Sequence, residues 1–337
     1  MSYTFYGWQT ATITDSHGLT PRNYYDLLSG IWCANTCAPR MRSEWTLENR
    51  TLGQCSITAF LIQDIFGGKV FGVPLGDGNY HCFNVVGDCV FDLTSEQFGD
   101  QKLDYDNCPE QERSVHFMKT EKRERYEKLK AALDGILSRT LVTERLILRP
   151  FISDDAADVF KYLAVPAVNC FACMKLDSLD SAKTEMEKRA KDEFYLAIIL
   201  KESGKVIGEL FGHPEGTNPE DETMDTFSPC WMLNLKYGGK GYAHEAAHAY
   251  YDWLFFQKGI RRIYTYTEDT NLPSQHLCER LGMRREGLFM EFVSFIKNSD
   301  GTPLYENTVQ YAILKREWER MAKPTFKNAD ENGLMEA

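Results

Sequence analysis

One stretch of the sequence has the residue types that hold a phosphate group. An apolar strand passes through a glycine turn into a helix that starts with small residues, over Trp231, Met232, Leu233, Gly238, Gly239, Lys240, Gly241, Tyr242 and Ala243. Backbone N–H groups and the positive end of a helix meet at such a turn, and together they bind phosphate oxygens. The stretch therefore predicts a pyrophosphate-binding turn.

A second set of residues has the order of a cysteine nucleophile site. Cys55 opens a segment whose apolar residues follow the helical period, and the dipole of a helix lowers the pKa of a thiol in its first turn. His81 is predicted on a following strand and Asp92 on the next. In this scheme His81 activates Cys55, Asp92 orients His81, and Gln54 or the Cys55 N–H stabilises an oxyanion. The alternative is a core cysteine beside an ordinary strand histidine.

Length and composition limit the class of protein. The chain has 337 residues, which favours two or three domains, and its hydrophobic content of 43% supports a sizeable core. A net charge of -11 argues against nucleic acid as a partner. No apolar run is long enough for a membrane span, and the first residues lack signal-peptide features, so we expect a cytoplasmic protein without a membrane partner. Its ten cysteines are expected to be reduced, no metal site is expected, and the oligomeric state is left open, a dimer included.

The pattern along the chain divides it into four parts. We predict an N-terminal α+β domain over residues 1–115, a charged connecting helix over 116–139, a second domain over 140–322 and a polar tail over 323–337. The order Cys55, His81, Asp92 is that of papain-like or transglutaminase-like α+β domains. In the second domain strands and helices alternate around a mixed sheet, which indicates the α/β or α+β class.

The N-terminal part resembles a known family. Residues 53–68, the Tyr-His-Cys-Phe-Asn segment at 80–84 and the segment at 91–98 are similar to the bacterial YunG-like family, over about residues 20 to 110. That family is small and biochemically uncharacterised, so the resemblance implies a domain and no reaction.

Three kinds of phosphate site compete for the glycine turn. A P-loop needs Ser or Thr after Gly239-Lys240, and Gly241 stands there instead. A dinucleotide fingerprint needs Gly or Ala three residues after Gly241, where the sequence has His244. The acyl-CoA signature Gln/Arg-x-x-Gly-x-Gly/Ala matches residues 236–241 at both glycines, with Lys236 in the first place.

The segments around the turn resemble the GNAT acetyltransferases of the RimJ/RimL type. Residues 141–150 look like the opening strand of that branch, and residues 271–283 are similar to its Asn-x-x-Ser…Leu-Gly-Phe helix. The resemblance, over about residues 140 to 320, implies a splayed central sheet and acetyl-CoA as co-substrate. It further implies that Trp231, Met232 and Leu233 offer backbone groups to the pantetheine arm and that Asn271 contacts the same arm.

The same resemblance suggests catalytic residues. Ser274 would lie near the CoA sulfur and protonate the leaving thiolate, and Glu209 on a central strand would face the acceptor as a general base. The alternatives are a surface serine on a helix and a solvated strand carboxylate.

The sequence thus predicts an N-acetyltransferase that moves an acetyl group from acetyl-CoA to a primary amine, either a protein N-terminus or a small amine. A rival hypothesis is a cysteine amidohydrolase or transglutaminase-like enzyme acting through Cys55, with the acetyltransferase domain as an accessory. In a third, the N-terminal domain is a binding module that only presents substrates.

Overall fold

The chain forms two compact units. The computed structural model describes residues 3–76, 78–216, 223–321 and the backbone of 327–328. One unit ends at Ser138, and the other runs from Arg139 to Asn328. None of the helices in the described ranges is long and apolar enough to cross a membrane.

The first unit is an α+β domain built around a small antiparallel sheet. Its helices are α1 (Pro21–Ser29), α2 (Cys55–Phe66), α3 (Arg113–His116) and α4 (Thr120–Leu137), with 3-10 turns at Pro39–Glu44 and Ser95–Phe98. The strands β1 (Lys69–Pro74), β2 (Tyr80–Val86) and β3 (Cys89–Phe91) lie in that order in the sheet. Asn84 on β2 donates a 2.8 Å hydrogen bond to the Ala59 carbonyl of α2, which fixes the helix against the sheet.

The charged helix α4 belongs to the first unit, which differs from the prediction of a separate connecting helix. Leu129 and Leu133 are buried, because α4 packs its apolar stripe against α2. Arg125 is also buried and donates to the carbonyls of Thr36 (2.9 Å) and Gly53 (2.7 Å). The sequence analysis did not predict this packing, because most of the helix surface is charged and only one apolar stripe faces inward.

The second unit contains one large sheet with helices packed against it. Its strands are β4 (Leu141–Val142), β5 (Leu146–Arg149), β6 (Leu196–Leu200), β7 (Lys205–Glu215), β8 (Thr226–Leu233), β9 (Arg262–Glu268), β10 (Arg284–Lys297), β11 (Pro303–Leu314) and β12 (Lys327–Asn328). Its helices are α5 (Ala156–Leu163), α6 (Leu179–Arg189), α7 (Tyr242–Phe256), α8 (Leu272–Arg280) and α9 (Lys315–Met321), and 3-10 turns occur at Ser153–Asp155, Asn169–Met174 and Leu235–Tyr237.

The sheet is mixed, as the sequence predicted. In the described part of the chain its strand order is β10-β11-β9-β8-β7-β6-β5-β4-β12, and β8 with β9 is the parallel pair while the neighbouring pairs are antiparallel. The crossover between β8 and β9 is α7, since parallel neighbours need a long connection. Tyr250, Trp253 and Phe255 of α7 are fully buried, so this helix anchors the core of the unit.

The predicted polar tail at 323–337 lies outside the described residues, apart from 327–328. That short segment pairs with β4 and extends the sheet at its edge.

Candidate functional site

The site forms where the parallel strands β8 and β9 separate. Thr226 pairs with Arg262 and Phe227 with Ile263, and the Thr265 hydroxyl donates to the Pro229 carbonyl at 3.0 Å. Beyond this point the described strands have no further paired residues, and a cavity of about 580 Å³ opens. The divergence leaves backbone groups of the last β8 residues without a neighbouring strand on that side.

Most residues predicted to bind acetyl-CoA line this one cavity, namely Trp231, Met232, Leu233, Gly238, Gly239, Ala243 and Asn271. Ser274, predicted as a catalytic residue, lines it as well. Lys240, Gly241 and Tyr242 belong to the same turn and helix start but lie outside the described lining. The structure therefore brings the glycine turn and the start of α8 to the lining of one space.

The glycine turn holds a backbone conformation that suits glycine. Gly239 and Gly241 have φ angles of +74° and +83°, a region that side chains disfavour. A Cβ added at Gly239 meets nothing within 4 Å, so the space above the turn is open. The Gly238 N–H is bonded to the Leu235 carbonyl at 3.0 Å, which occupies one predicted phosphate donor within the turn.

The start of α7 supplies the remaining donors. Glu245 N–H donates to the Gly241 carbonyl at 3.1 Å and is the first to make the regular helical bond. The N–H groups of Tyr242, Ala243 and His244 come before it, and helix geometry gives them no intrahelical acceptor. These groups and the helix dipole together make a positive surface at the edge of the cavity.

An ion pair stabilises this turn, and it was not predicted from the sequence. Glu245 accepts from the Arg145 backbone N–H (2.8 Å), the Arg145 Nε (2.6 Å) and the Thr143 hydroxyl (2.5 Å). The Arg145 Nη1 also donates to the Lys240 carbonyl at 3.0 Å. Although partial burial raises the pKa of Glu245, the bonds from Thr143 and Arg145 outweigh it and the net pKa is lowered. The pair ties the loop before β5 to the turn.

Ser274 also lines the cavity and is held in position by two hydrogen bonds. Asn271 is the N-cap of α8, and its side chain accepts from the Ser274 backbone N–H at 3.2 Å. The Ser274 Oγ accepts from the Trp231 indole N–H, also at 3.2 Å. Because the oxygen is already an acceptor there, the hydroxyl proton is free to point to another group.

Glu209 has a different environment from the one expected of a general base. Its side chain is fully buried, pairs with Arg189 at 2.5 Å and accepts from the hydroxyls of Tyr162 (2.9 Å) and Tyr195 (3.2 Å). It points to the layer of α5 and α6 and does not belong to the described cavity lining. Burial raises the pKa of Glu209, while Arg189 and the two tyrosines oppose the rise. These contacts favour a structural ion pair.

A different carboxylate, Glu268, reaches the cavity. It is the last residue of β9, it lines the space, and its Oε1 accepts from the Cys170 N–H at 3.1 Å. Nearby, Glu306 accepts from Asn169 at 2.6 Å, and its Oε2 is buried without a partner among the described residues. Sequence reasoning missed both, although the position of Glu268 just before the predicted Asn271 helix was a usable signal.

In the first unit the structure brings the predicted cysteine, histidine and aspartate together. Cys55 is the first residue of α2 and is partly exposed, whereas His81 and Asp92 are buried. The His81 Nε2 lies 2.5 Å from the Asp92 Oδ2. A hydrogen bond from the Cys82 thiol, with the charge and hydrogen bond of His81, lowers the pKa of Cys55 against the effect of burial. Burial alone would lower the pKa of His81, but Asp92 and Cys55 raise it to about 10.

Comparisons with known proteins assign each unit to a family. The model of the YunG protein family matches residues 20–138, and the acetyltransferase (GNAT) domain matches residues 145–284. The uncharacterized protein YunG of Bacillus subtilis (strain 168) is 39% identical over 90 residues, 27% of this chain and 75% of its own length. The uncharacterized N-acetyltransferase YnaD of the same strain is 28% identical over 184 residues, 53% of this chain and 98% of its own.

One solved structure from these comparisons, an acetyltransferase of the GNAT family from Bacillus anthracis, is 27% identical. It covers 53% of this chain and 99% of its own, with a TM-score of 0.46.

The second unit, in which the parallel strands β8 and β9 separate beside a glycine turn, is an acyltransferase domain. The chain belongs to the YunG family through its first unit, and the acetyltransferase (GNAT) domain model matches its second. The match to YunG extends to residue 138 and so includes α4. Both families agree with the sequence-based prediction, while the RimJ/RimL branch stays a prediction.

Replacing Arg189 with Met is expected to destabilise the second unit by about 3–5 kcal/mol, because the buried Glu209 carboxylate loses its counter-charge. Urea unfolding, followed by hydrogen exchange of peptides from β6 and β7, measures the change. Lys188→Met, on an exposed neighbouring side chain, is the matched control. A Glu209→Gln variant that kept its stability and lost all acyl transfer would contradict the structural role.

Replacing Glu245 with Ala is expected to weaken acetyl-CoA binding about tenfold, because the Arg145 guanidinium and the Lys240 carbonyl lose their fixed positions. Isothermal titration with acetyl-CoA gives the affinity. Glu144→Ala changes an exposed neighbouring carboxylate and should bind normally. If the Glu245→Ala variant and the parent protein bound acetyl-CoA with equal affinity, the turn would not depend on the ion pair between Glu245 and Arg145.

Proposed function

We propose that the second unit transfers an acetyl group from acetyl-CoA to a primary amine within the cavity between β8 and β9. One observation carries the proposal. A single space runs from the uncapped start of α7 to the oriented hydroxyl of Ser274. One end of that space suits a diphosphate, and the other end suits a sulfur that must accept a proton.

The residues at the turn fit the diphosphate of acetyl-CoA. The open space above Gly239 and the free N–H groups at the start of α7 give room and donors for its oxygens. Backbone groups of Trp231, Met232 and Leu233, which lack a strand neighbour on the cavity side, can bond the amide groups of the pantetheine arm. Asn271 lines the same cavity.

Acetyl-CoA, when bound, supplies an activated thioester whose carbonyl carbon an amine can attack directly. The protein then has to position the amine, remove a proton from it and return a proton to the sulfur. Ser274 suits the last task, because the Trp231 indole fixes its oxygen and leaves its proton free.

We assign the acceptor end of the cavity to Glu268. Its carboxylate faces the space beside the 3-10 turn at Asn169–Met174, where it binds an ammonium group and accepts a proton from it. Glu306, whose Oε2 has no hydrogen-bond partner in the part of the chain that the structure describes, adds negative charge in the same region, next to Asn169. Glu209 is unsuited to this role, since Arg189 and two tyrosines already occupy its oxygens.

The lining favours an amine attached to an apolar body. Apart from Glu268 the acceptor side presents mostly apolar and aromatic side chains, including Phe171, Met174, Phe211, Phe292 and Phe295. Such a surface holds an aromatic or aliphatic group more readily than a second charged group on the acceptor. A screen of phenethylamine, an N-terminal Phe peptide, an N-terminal Asp peptide and spermidine, with release of CoA as the signal, compares these classes directly.

Excess acetyl-CoA is expected to raise the melting temperature of the second unit, since a ligand at about 100 times its Kd adds about 2.7 kcal/mol. Gly239→Trp should abolish the shift, because the ring fills the open space above the turn. Gly259→Trp is the matched control: Gly259 has a φ of +71° and open space beside it, but lies outside the cavity. Equal shifts in both variants would count against the turn as the diphosphate site.

Ser274→Ala is expected to lower kcat by about a hundredfold with little change in KM, as for loss of a general acid. Glu268→Gln should lower kcat to a similar extent. Ser203→Ala and Glu202→Gln, in the exposed turn between β6 and β7, are the matched controls. A Glu268→Gln variant with a raised KM and an unchanged kcat would restrict Glu268 to acceptor binding.

A further inference from the structure

The first unit contains reactive groups that acetyl transfer in the second unit does not use. We propose that Cys55, His81 and Asp92 form a second active site, in which the Cys55 sulfur attacks the carbonyl carbon of an amide and carries the acyl group as a thioester until water releases it. The proposal is independent of the acceptor and donor assigned to the second unit.

Asp92 is held more firmly than an ordinary ion pair requires. Its Oδ1 accepts from the backbone N–H (2.9 Å) and the hydroxyl (3.0 Å) of Thr94, and its Oδ2 accepts from the Tyr105 hydroxyl (2.9 Å) and from His81. The bonds from Thr94 and His81 are buried, and the bond from Tyr105 is partly buried. A carboxylate with both oxygens fixed in this way sets the orientation of the imidazole and leaves the Nδ1 edge for a reacting partner.

The segment before Cys55 is anchored from both sides. Gln97 accepts from the Gly53 N–H at 3.3 Å and donates to the Thr94 carbonyl at 2.8 Å, which connects this segment to the residues that hold Asp92. The same Gln97 side chain lies 3.4 Å from the His81 Nδ1. On the other side, Arg125 donates to the Gly53 carbonyl. These bonds fix the position at which α2 begins and therefore the position of the thiol.

The start of α2 leaves a donor for an oxyanion. No side chain caps this helix, and the Thr58 N–H, bonded to the Gln54 carbonyl at 3.1 Å, is the first to make the helical bond. The Cys55 N–H thus has no intrahelical acceptor, and it lies next to the sulfur. The Gln54 side chain turns inward and donates to the Cys33 carbonyl at 3.1 Å, so the backbone of Cys55 is the better donor.

The surrounding groups favour a thiolate at Cys55 and a protonated thiol at Cys82. The hydrogen bond to Cys55, together with burial, raises the pKa of Cys82, which keeps Cys82 protonated as a donor to the Cys55 sulfur. Burial lowers the pKa of His116 to about 4, so this imidazole is neutral and accepts from the Lys122 ammonium, 3.4 Å away. The Cys55 charge is among those acting on both His116 and Lys122.

The chemistry balances with water as the second reactant. Attack by the Cys55 thiolate forms a C–S bond, and the C–N bond of the amide breaks as the imidazolium of His81 gives its proton to the leaving amine. A water molecule then attacks the thioester, His81 takes its proton, and the C–S bond breaks to return the thiolate. The products are a carboxylic acid and an amine.

The first test compares cysteines within the intact protein. At about pH 6, where an ordinary thiol is mostly protonated, iodoacetamide should label Cys55 at least about tenfold faster than the exposed Cys173. Between about pH 6 and pH 8 the rate at Cys55 should change little, whereas the rate of an ordinary thiol rises steeply over this range. His81→Asn should restore an ordinary pH profile at Cys55. Equal rates at Cys55 and Cys173 in the parent protein would overturn the proposal.

The second test looks for the acyl-enzyme. The full chain, mixed with p-nitrophenyl acetate, should release a burst of one equivalent of p-nitrophenolate, and mass spectrometry should find one acetyl group on Cys55. Cys55→Ser should lose the burst, and Cys89→Ser, a partly exposed cysteine in the same unit, should keep it. Asp92→Asn should slow both acylation and release. The absence of a burst and of an acetylated Cys55 in the parent protein would refute the second active site.

Discussion

The second unit depends on one constraint, the parallel pairing of β8 with β9 that holds at one end and is lost at the other. Thr226 and Phe227 pair with β9, and the Thr265 hydroxyl bonds the Pro229 carbonyl where the pairing ends. If β8 and β9 were paired along their whole length, the sheet would leave no space between them for a substrate. If they did not pair at all, the connecting helix α7 would not be held in place. The buried aromatic residues of α7 stabilise the divided arrangement by filling the core beneath it.

The two units use the start of a helix in different ways. In α7 the free N–H groups face an open space, and glycines at positive φ let the chain reach it without side chains in the way. In α2 a sulfur occupies the first position, so the same dipole stabilises a charge that belongs to the protein itself. The first arrangement binds an anion, and the second prepares a nucleophile. In each case residues from elsewhere in the unit, Arg145 with Glu245 and Gln97 with Arg125, fix the chain around that helix start.

Much of this could be predicted from sequence, because the deciding signals are local. The glycine turn, the start of a helix directly after it and the order of Cys55, His81 and Asp92 follow from short motifs and from periodicity. The residues that were missed depend on tertiary contacts. Arg145 lies about a hundred residues from its partner Glu245, and nothing in the local pattern connects the two. The packing of α4 into the first unit was missed for the same reason, since Arg125 finds its carbonyl partners far away in the chain.

Glu209 and Glu268 show that the position of a carboxylate on a strand does not determine which groups its side chain reaches. Both are carboxylates on strands of one sheet, β7 and β9, and the sequence analysis named Glu209 and did not consider Glu268. A carboxylate can take a proton from a substrate only if it reaches the substrate and has an oxygen to spare. Glu209 fails on both counts, because it faces the helical layer and its oxygens are bonded to Arg189, Tyr162 and Tyr195. Glu268 faces the cavity and is bonded through Oε1 to a backbone N–H. The direction in which each side chain leaves the sheet therefore decides which of them can take part in the chemistry.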